Sequence, residues 1–354
     1  MRFIHIADVH LGMMPDINKP WGKYRKQEIW DSFEAVIELA KEKNIDFLFI
    51  AGDLFHKQPL LRELKEVNYL FSTLEKTKVV LIAGNHDYIR TDSYYDNFEW
   101  DEHVIFLKNE TMEKVEIGNI CVYGFSYHQK ENREFAYHDI AIQDKDKINI
   151  LLGHGGDETH CPYRLQDLQK LGFQYLAFGH IHKPMICSDF PMANVGSLEP
   201  LTVNETGKHG YIEGEIDEET KVCNFKFIPF AKREYIEWEV ESTKEDTALS
   251  MRDKIRDFLT GQNKENIYKI RILGQRSENV EYDPQVLQAL GNLLIEDESK
   301  VVYDYAAIYK RNQENLLGLY LKKFDEMEST EITERAKYLG TKALLDALEE
   351  KGDY

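Results

Sequence analysis

Five short groups in the sequence carry side chains that bind metal ions. They are Asp8-x-His10, Gly52-Asp53, Gly84-Asn85-His86-Asp87, Gly153-His154 and Gly179-His180-x-His182. Mixed carboxylate, imidazole and amide donors suit first-row divalent ions such as manganese, iron or zinc. Asp8, His10, Asp53, Asn85, His154, His180 and His182 make seven candidate ligands, too many for one tetrahedral ion. They suit two ions about 3.5–4 Å apart that share a bridging carboxylate. Two like-charged ions need an anion between them, and Asp53 is the natural bridge. Such a pair lowers the pKa of a water held between the ions and clamps a phosphoryl group for in-line attack. A lone Asp-x-His is weak, and a lone histidine after a strand is more often a hydrogen-bonded core residue. Five groups in this order, each after an apolar run, favour the metal site.

The apolar runs are what must position these groups. Residues 2–7, 45–51, 79–83, 148–152 and 175–178 read as buried strands that end at the five groups. Between the first strands, Ile29, Phe33, Val36, Ile37 and Ala40 mark a helix over 25–43, and Leu64, Val67, Leu70, Phe71 and Leu74 mark a second. Strands alternating with helices imply a largely parallel sheet covered by helices, with ligands gathered beyond the carboxyl ends of the strands. In four of the five groups a glycine stands just before the first ligand, which lets the backbone turn sharply and ligands approach closely. Further strands are expected near 119–126, 193–198, 209–216 and 223–230. After residue 231 the pattern changes to a strand over 234–240 and a helix running to Gly261, opened by the capping-box candidate Ser242-x-x-Glu245. A strand (267–273), a helix (284–295), a strand (300–305) and helices over 313–327 and 333–349 complete the reading. The expected domains are therefore 1–230, an α/β module over 231–310, and a helical tail over 311–354.

Composition sets the outer limits. A chain of 354 residues exceeds what one hydrophobic core usually holds, so more than one domain is expected. The net charge of −19 argues against tight, non-specific DNA binding by this chain alone. It leaves room for a local basic strip, bound metal ions or a basic partner. The apolar start is too short for a signal-peptide core, and no run approaches the roughly 18 apolar residues of a membrane span. Cys121, Cys161, Cys187 and Cys223 are scattered, and they read as reduced thiols of a cytoplasmic protein.

The five groups resemble the signature of the calcineurin-like metallophosphoesterases. Within that superfamily the chain resembles the SbcD nuclease subunits, bacterial relatives of the eukaryotic "Mre-eleven" double-strand-break nuclease. The stretches Ile6-Ala7-Asp8-Val9-His10-Leu11-Gly12 and Ala51-Gly52-Asp53-Leu54-Phe55-His56 carry the likeness. The resemblance implies an α/β fold: a four-layer α/β/β/α sandwich, a smaller α/β capping domain beside the active site, and a short helical tail. It implies one ion held by Asp8, His10, Asp53 and His182, and another by Asp53, Asn85, His154 and His180, with manganese favoured over iron or zinc. His86 would stabilise the transition state or protonate the leaving oxygen. Asp87 would hydrogen-bond His86 and fix its tautomer, and His56 would help place the scissile phosphate. The bland reading of His56 is a surface loop histidine. The implied activity is 3′–5′ exonuclease or endonuclease action on DNA ends, by a dimer with an SbcC-like coiled-coil ATPase. The C-terminal helices would dock that ATPase, or simply pack on their own domain.

Basic side chains near the expected rim are Lys19, Lys23, Arg25, Lys26, Lys57, Arg62 and Arg90, with Trp21 and Tyr24 among them. Lys19, Lys23, Arg25, Lys57 and Arg90 are candidate DNA contacts, and a solvated face is an equal alternative. His5, His103, His128, His138, His160 and His209 belong to no motif and read as structural or surface residues. Two other functions stay open: a phosphoesterase for small molecules or phosphoproteins, favoured slightly by the acidic charge, and a non-enzymatic scaffold with a vestigial site.

Overall fold

The computed structural model describes residues 1–138 and 140–349, so the end of the expected tail, 350–354, lies outside the described residues. The chain divides into two compact units, Met1–Ile236 with Lys264–Ile267, and Glu237–Asn263 with Tyr268 onward.

The first unit begins with β1 (Arg2–Ile6), α1 (Gly22–Glu42), β2 (Phe47–Ala51), α2 (Leu61–Ser72), β3 (Lys78–Ile82), α3 (Tyr94–Asn97) and β4 (Val104–Phe106). It continues with β5 (Glu113–Ile117), β6 (Ile120–Gly124), β7 (Ile148–His154), α4 (Leu165–Lys170), β8 (Tyr175–Gly179), β9 (Met185–Ile186), β10 (Met192–Asn194), β11 (Gly210–Ile216) and β12 (Cys223–Pro229). Two six-stranded sheets form, in the orders β12-β11-β1-β2-β3-β4 and β5-β6-β7-β8-β10-β9. β1 to β4 pair parallel, and so do β6, β7, β8 and β10.

The sequence makes four layers because both sheets are apolar on both faces. On one sheet Phe3, Phe49, Val80 and Ile82 turn inward to meet Val122, Ile150, Leu152 and Ala177 of the other. Its opposite face, with Ile4, Leu48, Ile50 and Leu81, packs under Ile29, Phe33, Val36 and Ile37 of α1 and Val67 and Phe71 of α2. The outer face of the second sheet (Tyr123, Leu151, Leu176, Phe178) is covered by Leu168 of α4 and by loop aromatics such as Tyr127 and Tyr137. Each of these fully buried large side chains contributes about 1.5–3 kcal/mol of transfer free energy. The turn from α1 into β2 is local: Asn44 takes a left-handed φ of 48° while Ile45 N–H donates to Ala40 O and Asn44 N–H to Lys41 O. This paired closure satisfies the last helical carbonyls and reverses the chain. The fold is the α/β/β/α sandwich that the family resemblance implied, with two sheets where the strand-helix pattern alone gave one.

The second unit contains all but the first residues of β13 (Tyr235–Ser242) and β14 (Ile267–Ser277), together with α5 (Ala248–Leu259), α6 (Pro284–Gln288), β15 (Leu293–Asp297), β16 (Lys300–Val302), α7 (Tyr305–Arg311), α8 (Leu316–Asp325) and α9 (Glu331–Glu349). Two local expectations are corrected. The helix read over 284–295 stops at Gln288, and Leu293–Asp297 instead pairs parallel to β14 from Tyr268↔Leu293 to Ile272↔Asp297. The cap of α5 is Thr247 with Ser250, not Ser242 with Glu245. Thr243 and Asp246 close a turn on each other before the helix starts, which moves the cap downstream. Ile308, Leu317 and Leu321 of α7 and α8 form a small core with Leu344 and Leu345 of α9. All four cysteines are free thiols, and among the described residues no helix is long and apolar enough to cross a membrane.

Candidate metal centre

All seven candidate ligands lie in the first unit, at the carboxyl ends of its central strands. Asp8 and His10 follow β1, Asp53 follows β2, and Asn85 follows β3; His154 closes β7, and His180 and His182 follow β8. The loops after β1 and β2 are zipped together beyond the sheet. Asp8 N–H donates to Gly52 O at 3.1 Å, His10 N–H to Asp53 O at 3.0 Å, and His56 N–H to Leu11 O at 3.1 Å. The second sheet is tied to the first by His180 N–H, which donates to the Asp8 carboxylate at 2.9 Å. Space is limiting here: a Cβ on Gly52 would overlap the His154 ring, and one on Gly84 would overlap the Asp53 carboxylate. Glycine is required at both positions by close approach.

Four ligand residues sit in the left-handed region: Asp8 (φ 49°), His10 (φ 53°), Asp53 (φ 50°) and His180 (φ 92°). Each such residue costs on the order of 1–3 kcal/mol and persists only where its surroundings over-determine it. Strain gathered on converging donors marks a constellation shaped for a ligand.

The donors form two groups that meet at Asp53. In the first, His10 Nε2 stands 3.1 Å from His182 Nε2, and His182 Nε2 is 3.9 Å from Asp8 Oδ1. In the second, Asn85 Oδ1 lies 3.0 Å from both His154 Nε2 and His180 Nδ1. Asp53 Oδ2 lies 3.6 Å from His10 Nε2 and 3.5 Å from His154 Nε2, one nitrogen from each group. Asp8, His10 and His182, and separately Asp8, Asp53 and His154, are close enough to hold one ion each. Two ring nitrogens bound at right angles to one ion, each about 2.1 Å away, stand about 3.0 Å apart. The facing Nε2 atoms of His10 and His182 have that spacing, so this group fits one divalent ion, and the Asp8, Asp53 and His154 group offers the place for a second.

The electrostatics point the same way. Burial works against charge on Asp53, yet His154, by charge and hydrogen bond, and His10 hold its carboxyl well below the usual range. Burial also opposes charge on His154, but Asp53 lifts it to about 9. His182 rises to about 9 against its own burial, through its hydrogen bond with Glu205 and the charge of Asp8. Burial pushes Asp8 up to about 6 despite His154 and His182, drives His10 well below its ordinary value and takes His180 to about 4. Buried carboxylates here draw positive charge onto some imidazoles but not others. Divalent cations would supply that charge and leave every inward ring nitrogen free to bind.

His86 and His56 adjoin this centre. The His86 ring is 4.7 Å from that of His10 and 5.2 Å from that of His56. His86 N–H donates to Asp53 Oδ1 at 2.8 Å, and its Nδ1–H donates to the His56 carbonyl at 3.1 Å. The expected hydrogen bond from Asp87 to His86 is corrected: among the described residues the ring's partner is that carbonyl. Asp87 is buried and accepts from Gly84 N–H at 2.8 Å and Phe55 N–H at 3.1 Å. Burial and the nearby Asp53 push the Asp87 carboxyl up to about 7. Asp87 therefore ties the loops after β2 and β3 together and reaches His86 only through the backbone.

Residues 1–184, just over half of the chain, match the family Metallophos, calcineurin-like phosphoesterase. The chain belongs to the calcineurin-like phosphoesterases. The "Uncharacterized metallophosphoesterase YhaO" of Bacillus subtilis (strain 168) is 29% identical over 233 residues, 60% of this chain and 56% of YhaO. The "DNA double-strand break repair protein Mre11" of Methanocaldococcus jannaschii is 28% identical over 266 residues, 69% of this chain and 70% of that protein. The Mre11 of Archaeoglobus fulgidus is 29% identical over 304 residues, 75% of this chain and 67% of that protein. The chain thus spans just over half of YhaO and about two thirds of these two Mre11 proteins. Its first unit is a metal-dependent phosphoesterase domain, with His/Asp clusters able to hold divalent ions at the strand ends.

Around this phosphoesterase centre, sequence reasoning missed three side chains. Asp157 accepts from His180 Nε2–H at 2.7 Å and from His160 Nδ1–H at 2.9 Å, and Glu205 accepts from His182 Nδ1–H at 3.0 Å. The only signal was Asp157 following Gly153-His154-Gly155-Gly156 closely; nothing in the sequence pointed to Glu205 or His160.

Of the basic candidates, Lys19, Lys23, Lys57 and Arg90 are exposed. Lys57 and Arg90 lie on neighbouring loops, joined by Gln58 Nε2–H donating to Tyr88 O at 2.6 Å. Arg25 is corrected, because it is fully buried and cannot reach a DNA phosphate. Its guanidinium pairs with Glu28 at 2.7 Å and with buried Glu199 at 3.5 Å, and it donates to Pro200 O at 2.5 Å. Glu28 is shared with Arg233 at 2.6 Å. Removing one member of such a buried set leaves a charge uncompensated. Arg25→Met is therefore expected to cost about 3–5 kcal/mol, read as a lower urea midpoint at unchanged slope. Exposed Lys23→Met should stay within about 0.5 kcal/mol of wild type.

Proposed function

We propose that this chain is a two-metal DNA nuclease that processes DNA ends, with Asp8, His10, Asp53 and His182 holding one ion and Asp53, Asn85, His154 and His180 the other. The carrying observation is the meeting of two donor groups at Asp53 with the His86 and His56 rings alongside. Divalent ions, manganese on this reading, would supply the activated water and neutralise charge on the phosphoryl group. The protein's own part is positioning and proton handling. His86, with Nδ1–H committed to the His56 carbonyl, presents Nε2 to the leaving oxygen, and in its doubly protonated form the ring would give that oxygen the Nε2 proton while keeping Nδ1–H on the carbonyl. His56, stacked on His86, would hold a non-bridging oxygen of the scissile phosphate. Lys57 and Arg90 contact flanking phosphates. The likeness to proteins named for double-strand break repair supports DNA as the substrate. On the same reading the chain works as a cytoplasmic dimer with an SbcC-like ATPase. In that assembly the α/β module over 231–310 is the capping domain, and α8 and α9 of the tail over 311–354 dock the partner.

The net charge of −19 favours a second reading, a phosphoesterase for small diesters. Manganese-dependent cleavage of an end-labelled duplex, run beside a chromogenic phosphodiester, separates the two. Duplex cleavage supports the nuclease, and turnover of the small ester with an intact duplex, even with the ATPase added, supports the alternative. For the nuclease, Lys57→Ala and Arg90→Ala should each weaken duplex binding whatever its sequence, and lower the slope of log affinity against log salt by about 1. Unchanged slopes in both variants would remove these side chains from the DNA path.

A further inference from the structure

Two carboxylates outside the seven proposed ligands face imidazoles of the centre, and neither is loose. Glu205 Oε1 takes the His182 Nδ1–H at 3.0 Å and the Thr202 hydroxyl at 3.1 Å, while Oε2 takes Leu201 N–H at 2.9 Å. Asp157 Oδ2 takes the His180 Nε2–H at 2.7 Å, and Oδ1 takes the backbone N–H and hydroxyl of Thr159 at 2.8 and 2.9 Å. Each of these two rings has one nitrogen committed to a carboxylate, so its other nitrogen presents a lone pair inward. His180 Nδ1 then faces Asn85, and His182 Nε2 faces His10. His154 differs, since its Nδ1–H goes to the neutral Ala51 carbonyl at 2.9 Å.

We propose that Asp157 and Glu205 are positioning residues, each setting the affinity of one ion of the pair by holding one histidine in its ligating tautomer. Asp157 acts on the ion held through His180, and Glu205 on the ion held through His182. A carboxylate acceptor fixes the ring's rotation and makes its inward nitrogen more basic, and such partners typically change metal affinity about 10–100-fold. The two carboxylates come from different loops, one after β7 and one after β10, so each ion can be weakened alone. The inference rests on the ligand set given under the proposed function.

The test is calorimetric titration of manganese into the metal-free full chain, with electron paramagnetic resonance of the loaded protein. Wild type, Asp157→Asn, Glu205→Gln and the double variant are compared. Wild type is expected to take two equivalents and give a spin-coupled signal. Each single variant should keep one step at wild-type affinity and weaken the other about 10–100-fold, and the double variant should weaken both, with metal-free melting temperatures unchanged. Two wild-type steps in both single variants would overturn the proposal and leave the ligand set standing. Failure of wild type to take two equivalents would overturn the ligand set itself, before any variant is compared. A third equivalent in wild type, lost in Asp157→Asn, would make Asp157 a ligand with His160 and His180 and end its positioning role.

Discussion

His86→Ala is expected to keep both metal ions and lose about 10²–10⁴-fold in turnover on a DNA duplex. The substitution is unusually clean because the two jobs of His86 are done by different atoms. Its backbone N–H holds Asp53 Oδ1, and alanine keeps that bond. Its imidazole donates to the His56 carbonyl and packs edge-on against the His10 ring at 4.7 Å, but it is none of the seven proposed ligands. The loss corresponds to about 3–5 kcal/mol of transition-state stabilisation. A proton donor matters most when the leaving group is a poor one. The variant should therefore lose far less on a p-nitrophenyl diester, whose leaving group departs without protonation. Steady-state rates on both substrates, with manganese stoichiometry measured in parallel, decide it. Duplex cleavage at the wild-type rate would remove His86 from the chemistry, and equal losses on both substrates would make it an electrostatic group, not a proton donor.

The parts of this centre that were legible in the sequence are those set by strand ends. A parallel strand buried on both faces must be an unbroken apolar run, so the polar residue that follows it is conspicuous. Asp8, Asp53, Asn85, His154 and His180 all stood out for that reason. What escaped was set by the paths of loops. Glu205 reaches His182 across a loop, and no periodicity encodes that approach. Asp87 adjoins His86 in sequence, yet consecutive side chains here diverge, and Asp87 turns to the amides of Gly84 and Phe55. Arg25 is a different kind of miss, because the signal was present. It stands four residues before Ile29 on the same helical stripe as Phe33 and Val36, which places it on the buried face. Its phase on the helix, and not its charge, decides its place. The segment 284–295 failed because an apolar cluster of that length fits either period, and only pairing with β14 decides that Leu293–Asp297 is extended.

Asp53→Asn should abolish binding of the ion pair and lower turnover by at least about 10³-fold, since the ions supply several kcal/mol to the transition state. Asparagine is nearly the same shape, so the effect comes from hydrogen-bond polarity and charge. Asp53 uses both oxygens as acceptors or donors of lone pairs: Oδ1 toward His86 N–H, Oδ2 toward His10 and His154. An amide must place its NH₂ on one side or the other. Facing His86, it sets donor against donor; facing the imidazoles, it puts N–H where a bridging lone pair is needed. Neither orientation restores the shared anion that lets two like charges sit close together. The measurement is metal content after dialysis, with melting temperature followed as manganese is added. A site at a hundred times its Kd gains about 2.7 kcal/mol of stability, so wild type should climb on titration and the variant should stay nearly flat. Two equivalents retained by Asp53→Asn, with a wild-type rise in melting temperature, would show that Asp53 does not bridge. The meeting point of the two donor groups would then have to be Asp8, whose carboxylate lies within reach of one ion with His10 and His182 and of another with Asp53 and His154.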